Sequence, residues 1–167
     1  PTSTWTETLR TIEERSCDII PMAKVTPHRK EYLDFTTPYV TFPCVVATKN
    51  DQFFIEDMNQ VLDKEFAVVR GYAIIYSLKK AYPGIKLVEV TNVMEGIVNV
   101  RNKKVFGYIG AAASVAYAIH KGRFSDLKIA GRLPMDFSLG VATRKDEPIL
   151  HNIFQKAVNL LTNEEKN

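Results

Sequence analysis

No stretch of the 167 residues comes near the about 18 consecutive apolar residues that a membrane-spanning helix needs. Histidine is scarce. His28, His120 and His151 lie far apart, with no spacing that suits a metal site. Gly-x-Ser-x-Gly, P-loop and Rossmann fingerprints are absent, which removes the commonest hydrolase, NTPase and dinucleotide readings. The only cysteines are Cys17 and Cys44, each in an apolar run. They could form one disulfide in an oxidising compartment, but the reading adopted is two buried free thiols acting as small hydrophobes. A strong charge bias is also missing: 22 Lys and Arg face 19 Asp and Glu, a net charge of +3. The densest basic cluster, Arg101 to Lys104, is short and has no interleaved aromatics, so no nucleic-acid partner is expected. A signal peptide is not seen. The opening Pro-Thr-Ser-Thr, without Met, reads as a processed product or a cut piece of a longer protein.

What is present is alternation. Helical spacing runs over 6–15, 73–82, 92–100, 112–120 and 148–161. The last of these carries Ile149, Leu150, Ile153, Phe154, Ala157, Val158 and Leu161 on one face. Short runs rich in β-branched and apolar residues fall at 42–48, 66–69, 86–90, 105–109, 127–130 and 139–143, and a further apolar run covers 18–22. Strands alternating with helices predict an α/β fold with largely parallel sheets. Residues 49–139 hold enough elements for a complete α/β lobe. The flanks, 1–48 and 140–167, hold fewer and read as a discontinuous, partial lobe. A continuous segment inserted into a discontinuous one is the expected anatomy of a two-lobed clamp whose ligand lies between lobes.

Several segments carry a resemblance in order along the chain. They are Cys17-Asp-Ile-Ile-Pro-Met-Ala-Lys-Val-Thr-Pro-His-Arg29, then Tyr32-Leu-Asp-Phe-Thr-Thr-Pro-Tyr39, and Phe66-Ala-Val-Val-Arg-Gly-Tyr-Ala73 with Ala81-Tyr-Pro-Gly84. Lys104-Val-Phe-Gly-Tyr-Ile-Gly110 and Leu127-Lys-Ile-Ala-Gly131 follow. The series ends with Leu139-Gly-Val-Ala-Thr-Arg-Lys-Asp-Glu-Pro-Ile-Leu150 and Thr162-Asn-Glu-Glu165. Together they resemble the family 3 extracellular solute-binding proteins. The Gly-Tyr-Ala wording is most similar to Venus-flytrap sensor modules of bacterial histidine kinases. The resemblance implies a two-lobed, periplasmic-binding-protein-like (type 2) fold. Family members begin with about fifty further residues of lobe 1, so lobe 1 is expected to be truncated at its N-terminus and open to self-association through exposed edges.

The candidate ligand site comprises Trp5, Met22, Lys24, Arg29, Arg70, Gly71, Tyr72, Gly110 and Ala111. An Arg holds a carboxylate through two parallel bonds and stays charged. Arg29 follows a Thr-Pro turn and, by resemblance, stands where the family clamps the ligand's carboxylate; the alternative is a surface Arg pairing with Glu31 or Asp34. Trp5 matches an aromatic that stacks on the ligand, or else it is a packing residue. Gly71 opens a helix after a strand, where free N–H groups attract anions, though such a Gly can be purely structural. Tyr72 takes the place of the family's hydroxyl-bearing Thr, and Gly110 with Ala111 begins a later helix in the same way.

Two departures bear on the ligand. Lys24 replaces a small hydroxyl residue five positions before Arg29, and Ala111 replaces the Asp that pairs with an amino-acid ammonium group. A buried ammonium without that partner is costly. The resemblance therefore implies a small anionic solute such as a carboxylate, in place of an ordinary α-amino acid. The alternative is an empty pocket with Lys24 in solvent. The functional expectation is a non-enzymatic sensor domain on the periplasmic or extracellular face of the bacterial inner membrane. It would need no metal or cofactor, and its partner would be the rest of a membrane-bound histidine-kinase-like protein. The alternative function is a free periplasmic solute-binding protein of an uptake transporter. Some relatives of this fold are dehydratases, and others are fused to lytic transglycosylase domains; neither their acid–base pair nor a second domain is visible here.

Overall fold

In a computed structural model, residues 2–162, 164 and 165 are described; Asn163 of the last quoted segment lies outside them. The chain divides into two compact units. Unit 1 is Pro1–Thr41 with Ser138–Asn167, and unit 2 is Phe42–Phe137. The elements run α1 (Trp5–Glu13), β1 (Ile19–Ala23), β2 (Leu33–Phe35), β3 (Val40–Lys49), β4 (Glu65–Val69), α2 (Ile74–Ala81), β5 (Lys86–Val90), α3 (Val93–Arg101), β6 (Gly107–Ala111), α4 (Ala112–Lys121), β7 (Leu127–Arg144) and α5 (Pro148–Leu160). Single 3-10 turns lie at Arg29–Glu31 and Met58–Val61. Among the described residues, no helix is long and apolar enough to cross a membrane.

In unit 2 the strands run in the order β7-β3-β6-β4-β5. β4 is parallel to β5 from Glu65↔Lys86 to Val69↔Val90, and parallel to β6 at Phe66↔Gly107 and Ala67↔Tyr108. β3 is antiparallel to β6, from Cys44↔Ala111 to Thr48↔Gly107. The expectation of largely parallel sheets is corrected on this point. The crossover helices α2 and α3 make parallel pairs, while the strands shared with the other unit pair antiparallel. The core holds Phe66, Ile74, Leu78, Ile97, Tyr108, Ile109 and Leu133, all fully buried. Phe66 meets Phe106 edge to face, with centroids 5.6 Å apart.

In unit 1, β1 and β2 both pair antiparallel with the end of β7, at Ile19↔Thr143 and Asp34↔Thr143. Ile12 of α1, Ile20, Ala23, Leu33 and Ala142 form the buried cluster, with Trp5, Leu9, Tyr32 and Phe35 packed on it. Arg144 ties the two chain segments together. Its guanidinium donates to Asp18 (2.7 Å), Asp146 (3.0 Å) and Glu147 (2.9 Å). Gly140 is needed where β7 meets Thr36, because a Cβ there would lie 2.8 Å from the Thr36 carbonyl.

Two further element expectations are corrected. The runs 127–130 and 139–143 are ends of one strand, β7. Pro134 suggests a break, but it sits at an exposed position where a missing N–H is tolerated. The strand expected at 105–109 begins instead at Gly107. Lys103 adopts a left-handed φ of 59° and Phe106 N bonds the Glu65 carbonyl, so Val105 and Phe106 belong to the entry turn. β2 and both 3-10 turns lack a periodic signal of their own.

Candidate functional site

Arg29 is the most constrained of the candidate residues. The Thr26-Pro27 turn leads into the 3-10 turn, and Thr26 Oγ1 accepts the Arg29 N–H at 3.2 Å. The side chain is only 4% exposed, so the alternative of a solvent-facing surface Arg does not hold. Its Nη1 donates to the Lys24 carbonyl at 2.8 Å, and its guanidinium carbon lies 5.0 Å from the centre of the Trp5 ring. A cation over an indole face is the strongest common form of that contact. Burial pushes the Arg29 guanidinium below its ordinary value, with Tyr32 acting in the opposite direction. A desolvated guanidinium gains the most from a carboxylate. Thus Trp5, Lys24 and Arg29 come together in unit 1. Met22 is half exposed on β1.

In unit 2, β4 ends at Val69. Arg70 follows, exposed, with its N–H on the Val90 carbonyl (2.9 Å) and its Nε 3.3 Å from Glu89. Gly71 has φ 75°, a left-handed conformation that glycine adopts without strain. Tyr72 N donates to the Val69 carbonyl at 3.1 Å, closing the turn into α2, and burial raises the Tyr72 phenol. Gly110 is buried on β6, and Ala111 immediately precedes α4.

The helix starts differ in an informative way. Thr4 Oγ1 caps α1 through Glu7 N (3.1 Å), and Asn92 Oδ1 caps α3 through Glu95 N (2.9 Å). The helices that follow Gly71-Tyr72 and Gly110-Ala111 have Ala73 and Ala111 at the capping position and no side-chain cap. In α2 the Ile75 N–H donates to the Tyr72 carbonyl at 3.1 Å. No acidic side chain stands in the first turn of either helix.

Sequence reasoning passed over Tyr108. Its ring packs against Gly96 of α3 and Gly110 of β6, and its hydroxyl is buried without a hydrogen-bond partner among the described residues. The available signal was the Gly-Tyr-Ile-Gly spacing. A glycine two residues beyond an aromatic on a strand faces the same way and leaves room for the ring. Neither cysteine is in a disulfide; Cys44 is buried as expected, whereas Cys17 is only partly buried and its Sγ donates to the Ile19 carbonyl at 3.1 Å. Among the described residues, no group of three or more His, Cys, Asp or Glu is arranged to hold a metal.

The geometry agrees with what the chain is similar to. The virulence sensor protein BvgS of Bordetella pertussis is 26% identical over 160 residues, 95% of this chain. The chain spans only 13% of that protein's length. The crystal structure of the B. pertussis BvgS periplasmic VFT2 domain superposes with a TM-score of 0.88 at 25% identity, covering 99% of this chain and 71% of that one. Holo ArgBP from T. maritima superposes with a TM-score of 0.83 at 19% identity, over 99% of this chain and 74% of its own, a likeness of fold alone. The α/β, periplasmic-binding-protein-like fold is therefore established, with this chain covering part of the flytrap domain. The profile of the bacterial extracellular solute-binding proteins, family 3, matches residues 1–166, and the chain belongs to that family.

Proposed function

We propose that this chain is the extracytoplasmic ligand-binding part of a membrane-bound sensor of the histidine-kinase class. The observation that carries the reading is its likeness to BvgS and to the BvgS VFT2 structure along nearly the whole chain. Membership of an extracellular family supports a periplasmic location. The role is binding rather than turnover. A bound solute would shift the balance between the conformational states of such a sensor.

The ligand in this reading is a small carboxylate without an ammonium group. Arg29 clamps it, Trp5 fixes the guanidinium plane, and Lys24 adds positive charge. Gly71, Tyr72, Gly110 and Ala111 are the further ligand-binding candidates of this reading. Ala111 supplies no carboxylate for an ammonium. The exposed apolar residues Ile149, Ile153 and Leu160 of α5 support the further idea that unit 1 associates with another copy.

Calorimetry on the purified chain tests the ligand class. Succinate and 2-oxoglutarate should bind, glutamate and alanine should bind more weakly, and Arg29→Ala should abolish the heat. Tighter binding of a zwitterionic amino acid would overturn the ligand class.

A further inference from the structure

Charge is unevenly spread over the chain. Residues 49–52, 63–65, 86, 101–104 and 121–128 hold nine Lys and Arg against four Asp and Glu, a surplus of five, whereas the whole chain carries +3. The fold gathers these segments at one end of unit 2, where β3 ends and β4, β5 and β6 begin. Lys49, Lys64, Lys103 and Lys104 line one open groove there. Glu65 stands in register with Lys86. Arg101 lies over the Phe124 ring, 4.8 Å from its centre, which brings 121–128 to the same end. The carboxylates present are largely engaged. Asp126 meets both Lys49 (3.1 Å) and Arg101 (3.3 Å), and Asp63 pairs with Lys64. Asp51 accepts from Gln52 at 2.9 Å. Lys103, Lys104 and Arg123 are exposed and form no ion pair among the described residues. Like charges crowded on one face repel, so the fold itself gains nothing from this surplus.

A second feature sits at the same end. Phe53 and Phe54 follow 49–52 directly and are 56% and 63% exposed, and Ile129 on β7 is 41% exposed. The backbone holds this loop against β7. Lys128 Nζ donates to the Asn50 and Gln52 carbonyls at 3.0 and 2.6 Å, and Ile55 N donates to the Ala130 carbonyl at 2.6 Å. Two adjacent aromatic rings in water forgo the free energy of burial, and such a patch marks an interaction surface. Glu56 and Asp57 come next in the chain, but they line a separate cavity with Arg132 and Asp136.

We propose that this end of unit 2 docks on an anionic bilayer surface, with its Lys and Arg on the lipid phosphates and Phe53 and Phe54 at the acyl boundary. Basic residues alone would fit any polyanion. Exposed aromatic rings beside them fit a partner that is anionic at its surface and apolar just beneath, as a bilayer is and a nucleic acid is not. Gly71 and Gly110 lie at the opposite ends of β4 and β6, so this surface is separate from the solute candidates of unit 2.

Co-sedimentation of the full chain with lipid vesicles, without added solute, tests this. The chain should pellet with vesicles of phosphatidylglycerol mixed with phosphatidylcholine and stay in solution with phosphatidylcholine alone. Binding should fall as salt rises. Lys103→Gln combined with Lys104→Gln should weaken it about thirtyfold, since each basic side chain near an anionic surface contributes about fivefold. Phe53→Ser combined with Phe54→Ser should weaken it about tenfold. All four side chains are exposed, so both variants should keep the parent's Tm. No pelleting with the anionic vesicles, or equal pelleting of the lysine variant, would overturn the proposal. Undiminished binding by the Phe variant would make the surface a general polyanion patch and overturn the bilayer as its partner. A clear fall in Tm of the Phe variant would show that the rings pack within the chain, with the same consequence.

Discussion

The two units are held together by different means. Unit 2 is built around large apolar side chains with no exposure: Phe66, Ile74, Leu78, Ile97, Ile109 and Leu133. These come from strands and helices that follow one another in sequence. Unit 1 has a smaller cluster, Ile12, Ile20, Ala23, Leu33 and Ala142, drawn from chain segments far apart. It adds a polar tie, since Arg144 reaches Asp18 across 126 positions. A core of large residues derives its stability from area and packing density. A small core joined by ion pairs depends more on solution conditions. The difference follows chain order, since unit 2 is continuous in sequence and unit 1 is assembled from two separate segments.

The largest effect should come from Phe66→Ala in unit 2. The ring is fully buried and meets Phe106 edge to face, so its loss leaves a cavity and removes an aromatic contact. Chemical denaturation should show a loss of about 3–5 kcal/mol. Hydrogen exchange should place that loss in β4, β5 and β6. A loss under about 1 kcal/mol would mean that unit 2 is loosely packed and that the contrast is false.

Gly110→Ala comes next, at about 1–3 kcal/mol, the usual range for overpacking. The added methyl would fall 2.6 Å from the Tyr108 ring, and neither neighbour is free to retreat, since both are buried. Pairing it with Tyr108→Ala should recover part of the loss from Gly110→Ala, measured as a double-mutant coupling. Additive losses would show that the ring does not depend on this glycine.

Arg144→Ala turns to unit 1. Three carboxylates lose their partner, and the exposed rim of the tie keeps the effect below that of either core substitution. Hydrogen bonds from Arg144 hold the Asp146 carboxyl below its usual range, with the charges of Arg144 and Arg15 acting the same way. A carboxyl with a lowered folded value stabilises above its unfolded value and loses that effect as pH falls through the folded one. The parent should therefore lose more stability than Asp146→Asn between neutral pH and the acid side of the carboxylate range. Equal acid sensitivity would show that the tie contributes nothing to closing unit 1.

The contrast also explains what the sequence could and could not reveal. Helical and strand periods exposed most of unit 2 because each element buries one face against its chain neighbour. β5 at 86–90 is a clean case. In unit 1, β2 is three residues long and is defined only by its pairing with β7, a partner more than a hundred positions away. No local pattern encodes that. The continuity of β7 through the exposed Pro134 is a property of the sheet and not of the local sequence. For the site, the Thr-Pro-x-Arg wording led to Arg29, and the glycines led to Gly71 and Gly110. Trp5 over Arg29 depends on how α1 packs, which no spacing reports. The burial of the Tyr108 hydroxyl is visible only in three dimensions.

The smallest effect sharpens the contrast at alkaline pH. Tyr32 packs on the unit 1 cluster, and its hydroxyl bonds Glu13. Burial first, and then the Glu13 bond and charge, push its phenol up to about 12, while Arg29 acts weakly in the opposite sense. Its unfolded value is about 10. A group with a raised folded value stabilises below its unfolded value and loses that contribution as pH rises through the folded one. Tyr32 therefore stabilises unit 1 fully below about pH 10 and ceases to do so near 12. Tyr32→Phe keeps the ring and discards the hydroxyl. At about pH 9 it should be less stable than the parent by about 1 kcal/mol, the worth of one hydrogen bond. The gap should narrow steadily as pH approaches about 12, because the parent then gives up the same bond by ionising. A gap that stayed constant across that range would mean that the Tyr32 phenol titrates alike in both states. Unit 1 would then lack the sheltered polar contact that distinguishes it here from the apolar interior of unit 2.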